Sequence, residues 1–437
     1  MPDILDVFGV LVDDQVGIIR EVRERRKDCG APGLVYMSAK TCDLTTLNPH
    51  QHLNVFLGSG ASTDRSIAMA KAVGEAVERY CSAMYSTEDF PLSCFESAQF
   101  QCVPPEDFTL YSSEQYAEPG FPFKPFNRKT CVRWTPALDL HTRETRYVPA
   151  AMVFLPYDPK LSGETSITPQ ISSGLACHSI PTIAACSAIC EVVERDAIAI
   201  TWQAKLARPQ IRLDTLSPRN RELLARLRRP GTSVMLIHLS MDHGIPVIFS
   251  IMTSTVSEAP ALVVAAAAHL DPEQAIQKSL EELAQIWCLS TMLKSERPKF
   301  SPGKQWKNVI DPNSHAALYF DQANLHLADF LWSSRDRIAL REIKNLSTQD
   351  PSRDLRLLIE KVNAAGHRVL LVDVTSEDVK SLGLWVFRAV IPGLHPLLMG
   401  YRYRALGGTR LWDVPQKLGY SGLVRQRGDN PAPHPFA

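Results

Sequence analysis

The sequence has 437 residues, 45% hydrophobic and 22% charged, with a formal net charge of zero. This is ordinary globular composition, enough for one large domain or two to three smaller ones. It argues against a general electrostatic role on nucleic acid or an anionic membrane, and no apolar run approaches transmembrane length.

The N-terminal MPDILDVFGV lacks the layout of a secretory signal, so the chain reads as cytoplasmic and its ten cysteines as free thiols. No Cys-x-x-Cys pair is present, and the spacing of structural zinc motifs is absent. Residues 9–20 (GVLVDDQVGIIR) read as a strand, a turn at Asp13-Asp14 and a second strand. Residues 53–57 (LNVFL) read as a short strand running into a flexible loop, Gly58-Ser-Gly-Ala-Ser62. A helix follows at about 64–84, with Ser62, Thr63 and Asp64 all credible N-caps. Residues 91–130 are rich in Pro, Phe, Tyr and Ser and read as an irregular, insertion-like stretch. Strands are expected within 132–155, and a second long helix at about 181–203, with Pro181 in its first turn. Segments 233–239, 245–253 and 261–268 read as adjacent antiparallel strands. Asp271-Pro272 opens a third long helix to about 294. A helix at 354–365, a strand at 368–374, a helix near 376–382 and a strand at 384–391 complete an α+β pattern. No linker marks a domain boundary, so a single domain over residues 1–437 is expected, ending in a proline-rich tail at 429–437.

One motif occurs twice. Residues 68–80 (AMAKAVGEAVERY) and 184–196 (AACSAICEVVERD) align without gaps, with six of thirteen positions identical. Glu75, Glu78 and Arg79 thus correspond to Glu191, Glu194 and Arg195. Carboxylates at i and i+3 share a helix face. Here they sit among small apolar residues, where ionised carboxylates need compensation, and a divalent cation supplies it. Two such helices face to face make a plausible cradle for magnesium and a polyphosphate. Either motif alone is commonplace, and a structural duplication without chemistry is the plainer alternative. Glu282 and Gln285, three residues apart on the third helix, are candidates for the same pocket. Phosphate-binding loops and protein-kinase motifs are absent.

Together these segments resemble the YcaO family. The resemblance rests on the Gly-x-Gly loop with AVGEAVERY, on SSGLACHSIPTIAACSAICEVVERDA, SLEELAQ and VLLVDVTSEDVKSLGLWVFRAVIPGL, and on RLWDVPQKLGY and NPAPHPFA. It runs from about Leu11 to the end. It implies a YcaO-type fold that binds ATP and Mg2+ and activates backbone amides of peptides. Glu75, Glu78, Glu191 and Glu194 then match magnesium-binding positions. Arg79, Ser187, Glu282, Gln285 and, more weakly, Ser172 match nucleotide-contacting positions, with Arg195 beside them. Pro431, Pro433 and Pro435 resemble the Pro-x-Pro-x-Pro tail of azoline-forming cyclodehydratases, which reaches into the active site. Alternate prolines lower the cost of ordering such a tail. This chain departs from the family by ending in Phe436 and Ala437, by carrying Ser59 where Lys is frequent, by Lys71 at a usually small position, and by His178 where Gly is frequent. Lys71 is a candidate phosphate contact; His178 is a candidate base or a packing histidine.

The resemblance further implies a precursor peptide as substrate, whose Cys, Ser or Thr becomes a thiazoline or oxazoline. Because the family pattern begins almost at once, a separate leader-peptide-binding partner, ThiF-like or related, is expected. A flavin-dependent dehydrogenase and a homodimer within a hetero-oligomer are expected by the same analogy. Two other readings stay open, a YcaO enzyme making thioamides or amidines and a non-catalytic ATP-binding scaffold.

Overall fold

The computed structural model describes residues 4–26, 30–46, 56–296, 300–425 and 428–436. The first predicted strand is instead a short helix, α1 (Phe8–Leu11), that buries Leu11. Strands β1 (Ile19–Glu24), β2 (Val35–Thr41) and β3 (Leu57–Ser62) form an antiparallel sheet. Residues 53–55 of the predicted LNVFL strand lie outside the described residues.

The stretch expected as a flexible loop is therefore strand β3. Its glycines serve close packing. The next helix, α2 (Arg65–Ala83), is capped by Asp64, which accepts from Ser66 N and Ile67 N. A Cβ on Gly58 would stand 2.1 Å from Ala72 O, and one on Gly60 2.2 Å from Ala68 O. Ala68, Ala72 and Ala76, spaced four apart and fully buried, give α2 a smooth ridge against which the strand lies. Gly58→Ala is expected to cost about 3 kcal/mol, because backbone rather than a side chain must give way. A denaturant midpoint within error of the parent's would contradict this packing.

Further along come β4 (Leu92–Ser93), α3 (Ser113–Ala117), β5 (Val132–Asp139), β6 (Thr145–Pro149), β7 (Leu175–His178) and α4 (Pro181–Gln203). Residues 91–130 are mostly irregular, as expected, and carry an aromatic cluster of Tyr111, Tyr116, Phe121 and Phe123. Pro181 occupies the first helical turn of α4. Next are β8 (Gln210–Ile211), α5 (Pro218–Leu227), β9 (Thr232–His238), β10 (Val247–Ser254), β11 (Leu262–Ala268) and α6 (Pro272–Glu296). The last part contains α7 (Pro312–Leu318), β12 (Arg337–Ile338), α8 (Pro351–Ala364), β13 (Leu370–Asp373), α9 (Glu377–Ser381), β14 (Trp385–Val390) and α10 (Arg410–Lys417).

The second sheet runs β11-β10-β9-β8-β12, and the third β4-β5-β13-β14-β7 with β6 on β5. All pairings of these strands are antiparallel except β8 with β12. The three long helices link the sheets in a ring. Helix α2 packs on β2–β3 and β7, α4 on β7–β14 and β11, and α6 on β10–β11 and β3. Each helix thus lies between two sheets. The faces turned toward the ring's centre meet the edge strands β3, β7 and β11.

Candidate active site

The repeated carboxylates meet at the centre of this ring, each anchored by a backbone amide. Glu75 Oε2 accepts from Ser59 N at 2.7 Å and from Ser59 Oγ at 3.3 Å. Glu78 Oε1 accepts from Cys177 N at 2.9 Å. Glu191 Oε2 accepts from Gly174 N at 3.1 Å, and Glu194 Oε2 from Ala268 N at 3.3 Å. The two repeats also share their arginine geometry. Arg79 Nη2 reaches back four residues to Glu75 Oε1 at 3.2 Å, and Arg195 Nη2 to Glu191 Oε1 at 3.3 Å. Arg195 Nη1 also donates to Glu194 Oε1 at 2.5 Å.

Helix α6 closes the site. Gln285 Nε2 donates to Ser59 Oγ at 3.0 Å, and Glu282 lies within electrostatic reach of Arg195, Glu191, Lys71 and Glu75. Ser187 lines a separate cavity of about 230 Å³ with Cys186, Cys190, His269 and Lys278. Lys278 feels the charge of Glu194, so this cavity adjoins the acidic centre. Ser172 accepts through its carbonyl from Leu175 N at 3.2 Å, in the turn leading to β7.

Lys71 takes a partner that the sequence reading did not single out. Its Nζ donates to Glu281 Oε2 at 2.5 Å and to Ala61 O at 3.2 Å. Glu281, nearly fully buried, also accepts from Ser62 Oγ at 3.0 Å. His178 sits at the end of β7, where its Nδ1 accepts from Ile180 N at 2.9 Å.

The tail is ordered by hydrogen bonds along its length. Trp202 Nε1 donates to Ala432 O at 2.7 Å and Tyr319 Oη to Pro433 O at 2.5 Å, while His315 Nδ1 bonds His434 O at 2.8 Å. Phe436 is 2% exposed, and the Arg195 guanidinium lies over its ring at 4.4 Å. The chain end therefore docks beside the carboxylates; Ala437 lies outside the described residues.

Burial at this centre raises the proton affinity of Glu78, Glu194 and Glu282. Burial, opposed by Arg79 and reinforced by Glu75 and Glu191, pushes Glu78 up to about 8. Burial, opposed by Arg195 and reinforced by Glu282 and Glu191, takes Glu194 to about 8 as well. Glu282 rises to about 7, again chiefly from burial. Among the described residues, no three metal-ligating side chains already form a cage. Mg2+ is typically held by one or two carboxylates, with phosphate oxygens and water completing its shell. The residues fit the ion: oxygen donors under mutual repulsion, with arginines beside them for phosphate. When bound, Mg2+ shields phosphate charge.

A carboxyl with a raised folded value stabilises the fold fully below its ordinary range, near 4.5, and that contribution is lost as pH rises through 7 to 8. The empty protein is expected to melt at a lower temperature at about pH 8.5 than at about pH 6. Saturating Mg2+ with a non-hydrolysable ATP analogue should remove most of that difference. A melting temperature that ignores both pH and ligand would refute this account of the acidic centre.

The family model described as YcaO cyclodehydratase, ATP- and Mg2+-binding, matches residues 58–395. This chain belongs to the YcaO family. An uncharacterized protein of Methanothermobacter thermautotrophicus is 29% identical over 368 residues, 81% of this chain and 86% of its own. The fold matches that of a heterocyclase solved in complex with substrate and cofactor, with a TM-score of 0.79 at 23% identity over 98% of this YcaO chain. The chain spans only 56% of that heterocyclase. YcaO from Methanopyrus kandleri, bound with AMPPCP and Mg2+, superposes with a TM-score of 0.63 at 20% identity, over 87% of each chain. No described helix of this YcaO protein is long and apolar enough to cross a membrane, and its nine described cysteines are free.

Three further residues belong to the centre but were not selected from the sequence. They are Glu281, Lys278 and Arg388 of β14. Lys278 was open to detection, standing four residues before Glu282 and seven before Gln285 on one helix face. Arg388, isolated among apolar strand residues, offered no such pattern.

Proposed function

We propose that this YcaO protein is an ATP- and Mg2+-dependent cyclodehydratase acting on a ribosomal precursor peptide. The observation that carries this reading is the proline-rich tail docked at Arg195, within the centre that holds Glu191 and Glu194. The thiol or hydroxyl of a Cys, Ser or Thr adds to the preceding amide carbonyl. A C–S or C–O bond forms, the carbonyl π pair moves to oxygen, and the nucleophile's proton passes to a base. His178 and the tail are the candidate bases. That oxygen then attacks the γ-phosphorus of ATP; the new O–P bond forms as the bond to ADP breaks. Loss of the amide proton and departure of phosphate with the C–O bond leave the C=N of an azoline.

Glu75, Glu78, Glu191 and Glu194 would hold the metal ions. Arg79 and Arg195, with Lys71 freed from Glu281, would face the phosphates, stabilising charge as it shifts. Ser187, Glu282 and Gln285 would position the nucleotide, and Ser172 would complete the wall near β7. A separate ThiF-like or related leader-binding protein would deliver the peptide, and a flavin-dependent dehydrogenase would oxidise the product. The enzyme would work as a homodimer within that assembly.

The test is mass spectrometry of the precursor peptide encoded beside this chain, after incubation with the leader-binding partner, ATP and Mg2+. Loss of one water per modified residue, with one ADP and one phosphate formed, supports the proposal. Exchange of oxygen for sulfur assigns thioamide formation instead. An unmodified peptide in a complex shown to assemble points to a scaffold.

A further inference from the structure

A second cavity of about 110 Å³ lies beside Arg195, between segments 108–110, 151–152, 168–173 and 388–398. Its wall is mostly apolar, with Leu110, Met152, Val192, Val390 and Leu398 contributing. The charged exceptions are Arg195 and Arg388, and both lie within electrostatic reach of Glu191. The cavity thus adjoins the acidic centre.

Arg388 is 3% exposed. Its Nη2 donates to Ile171 O at 2.9 Å. Its Nε and Nη1 are buried and have no hydrogen-bond partner in the protein. Buried donors of a guanidinium are costly to leave unmatched, so such a pair calls for an acceptor. Burial lowers the Arg388 pKa to about 10, which leaves it cationic near neutrality.

The acceptor must suit both the guanidinium and the apolar wall. A free phosphate would desolvate its full charge against aliphatic carbon. An amide carbonyl is neutral on arrival and becomes negative only when the nucleophile adds. We propose that Arg388 and this cavity form the seat of the acceptor amide. Arg388 holds the carbonyl oxygen, and the cavity takes the aliphatic side chain of the residue that owns that carbonyl. This rests on the cyclodehydratase reading and deepens it, making the residue before each modified Cys, Ser or Thr a specificity determinant. A cavity of about 150 Å³ accommodates benzene, so this smaller one fits Val, Ile or Leu and excludes Trp.

The test uses the same reaction on precursor peptides with one Cys and with Gly, Val, Leu, Trp or Asp before it. The parent enzyme is expected to prefer Val or Leu over Trp and Asp by at least about tenfold in kcat/KM, the scale of discrimination an apolar pocket gives. Ala151→Leu narrows the cavity and should shift preference toward Gly. Val390→Ala widens it and should shift preference toward Trp. Opposite shifts cannot come from partial unfolding, which lowers all peptides together. Arg388→Gln should lower kcat about 100-fold, with the KM for ATP and the melting temperature near the parent values. A parent enzyme that dehydrates every peptide equally, parallel losses in both cavity variants, or a raised KM for ATP in Arg388→Gln overturns this seat and leaves the cyclodehydratase reading standing. A parent enzyme that dehydrates no peptide defeats that reading, and the seat with it.

Discussion

Glu191→Gln is expected to lower the rate of ATP-dependent dehydration about 10³-fold while leaving the protein folded. Glu191 is the electrostatic hub of the site. Its charge acts on Glu78, Glu194, Glu282, Arg195 and Arg388. Glutamine keeps an oxygen for Gly174 N but gives up the charge that would bind metal and pair with Arg195. The same change relieves repulsion on the neighbouring carboxylates. Without ligand, the variant should therefore melt no lower than the parent at about pH 8, and Mg2+ with nucleotide should stabilise it less. Activity and empty-state stability thus part company, which ordinary structural damage cannot produce. Dehydration within tenfold of the parent rate would remove Glu191 from the proposed metal site.

Deleting residues 431–437 should abolish measurable dehydration and destabilise the fold together. The deletion strips acceptors from Trp202 Nε1 and Tyr319 Oη, and each buried donor left unmatched costs about 1–3 kcal/mol. It also uncovers Arg195. Phe436→Ala separates the two effects, since it keeps every proline and the backbone acceptors. Its loss of packing is expected to cost about 3 kcal/mol, as for other buried Phe→Ala changes. If the ring holds Arg195 in place, kcat should fall further than stability explains, and the pH–rate profile should move as Glu194 loses a fixed counter-charge. Calorimetry and rate profiles on the two variants decide this. A truncated enzyme of parental kcat would take the tail out of the active site.

The long helices were legible because their ends carry local chemistry. Asp64 caps α2, Pro181 opens α4, and Asp271 Oδ1 accepts from Glu273 N at the start of α6. The run GVLV was not, since four apolar residues fit a strand or a helical turn equally well. Nor was β3. Its glycines look like loop residues until the Ala68–Ala72–Ala76 ridge of α2 shows why a side chain is forbidden there. The four carboxylates and two arginines stood out because their motif repeats. Between adjacent glutamates on α6, periodicity alone could not assign roles. Glu282 turns toward Arg195, whereas Glu281 turns toward Ser62 and Lys71. Arg388 is recognisable only in three dimensions, by donors left unmatched beside a distant helix.

The anchoring of Glu78 and Glu194 on strands remote in sequence bears on when the site becomes competent. Glu78 depends on Cys177, Glu194 on Ala268, and Gln285 on Ser59. Contacts of such span form late, because loop closure costs entropy before the contact repays it. A chain still emerging from the ribosome, or one cut between α2 and α6, has its acidic residues but no arrangement of them. The proposed nucleotide turnover would thereby be confined to the finished molecule, and its onset during refolding would time the closure of the ring.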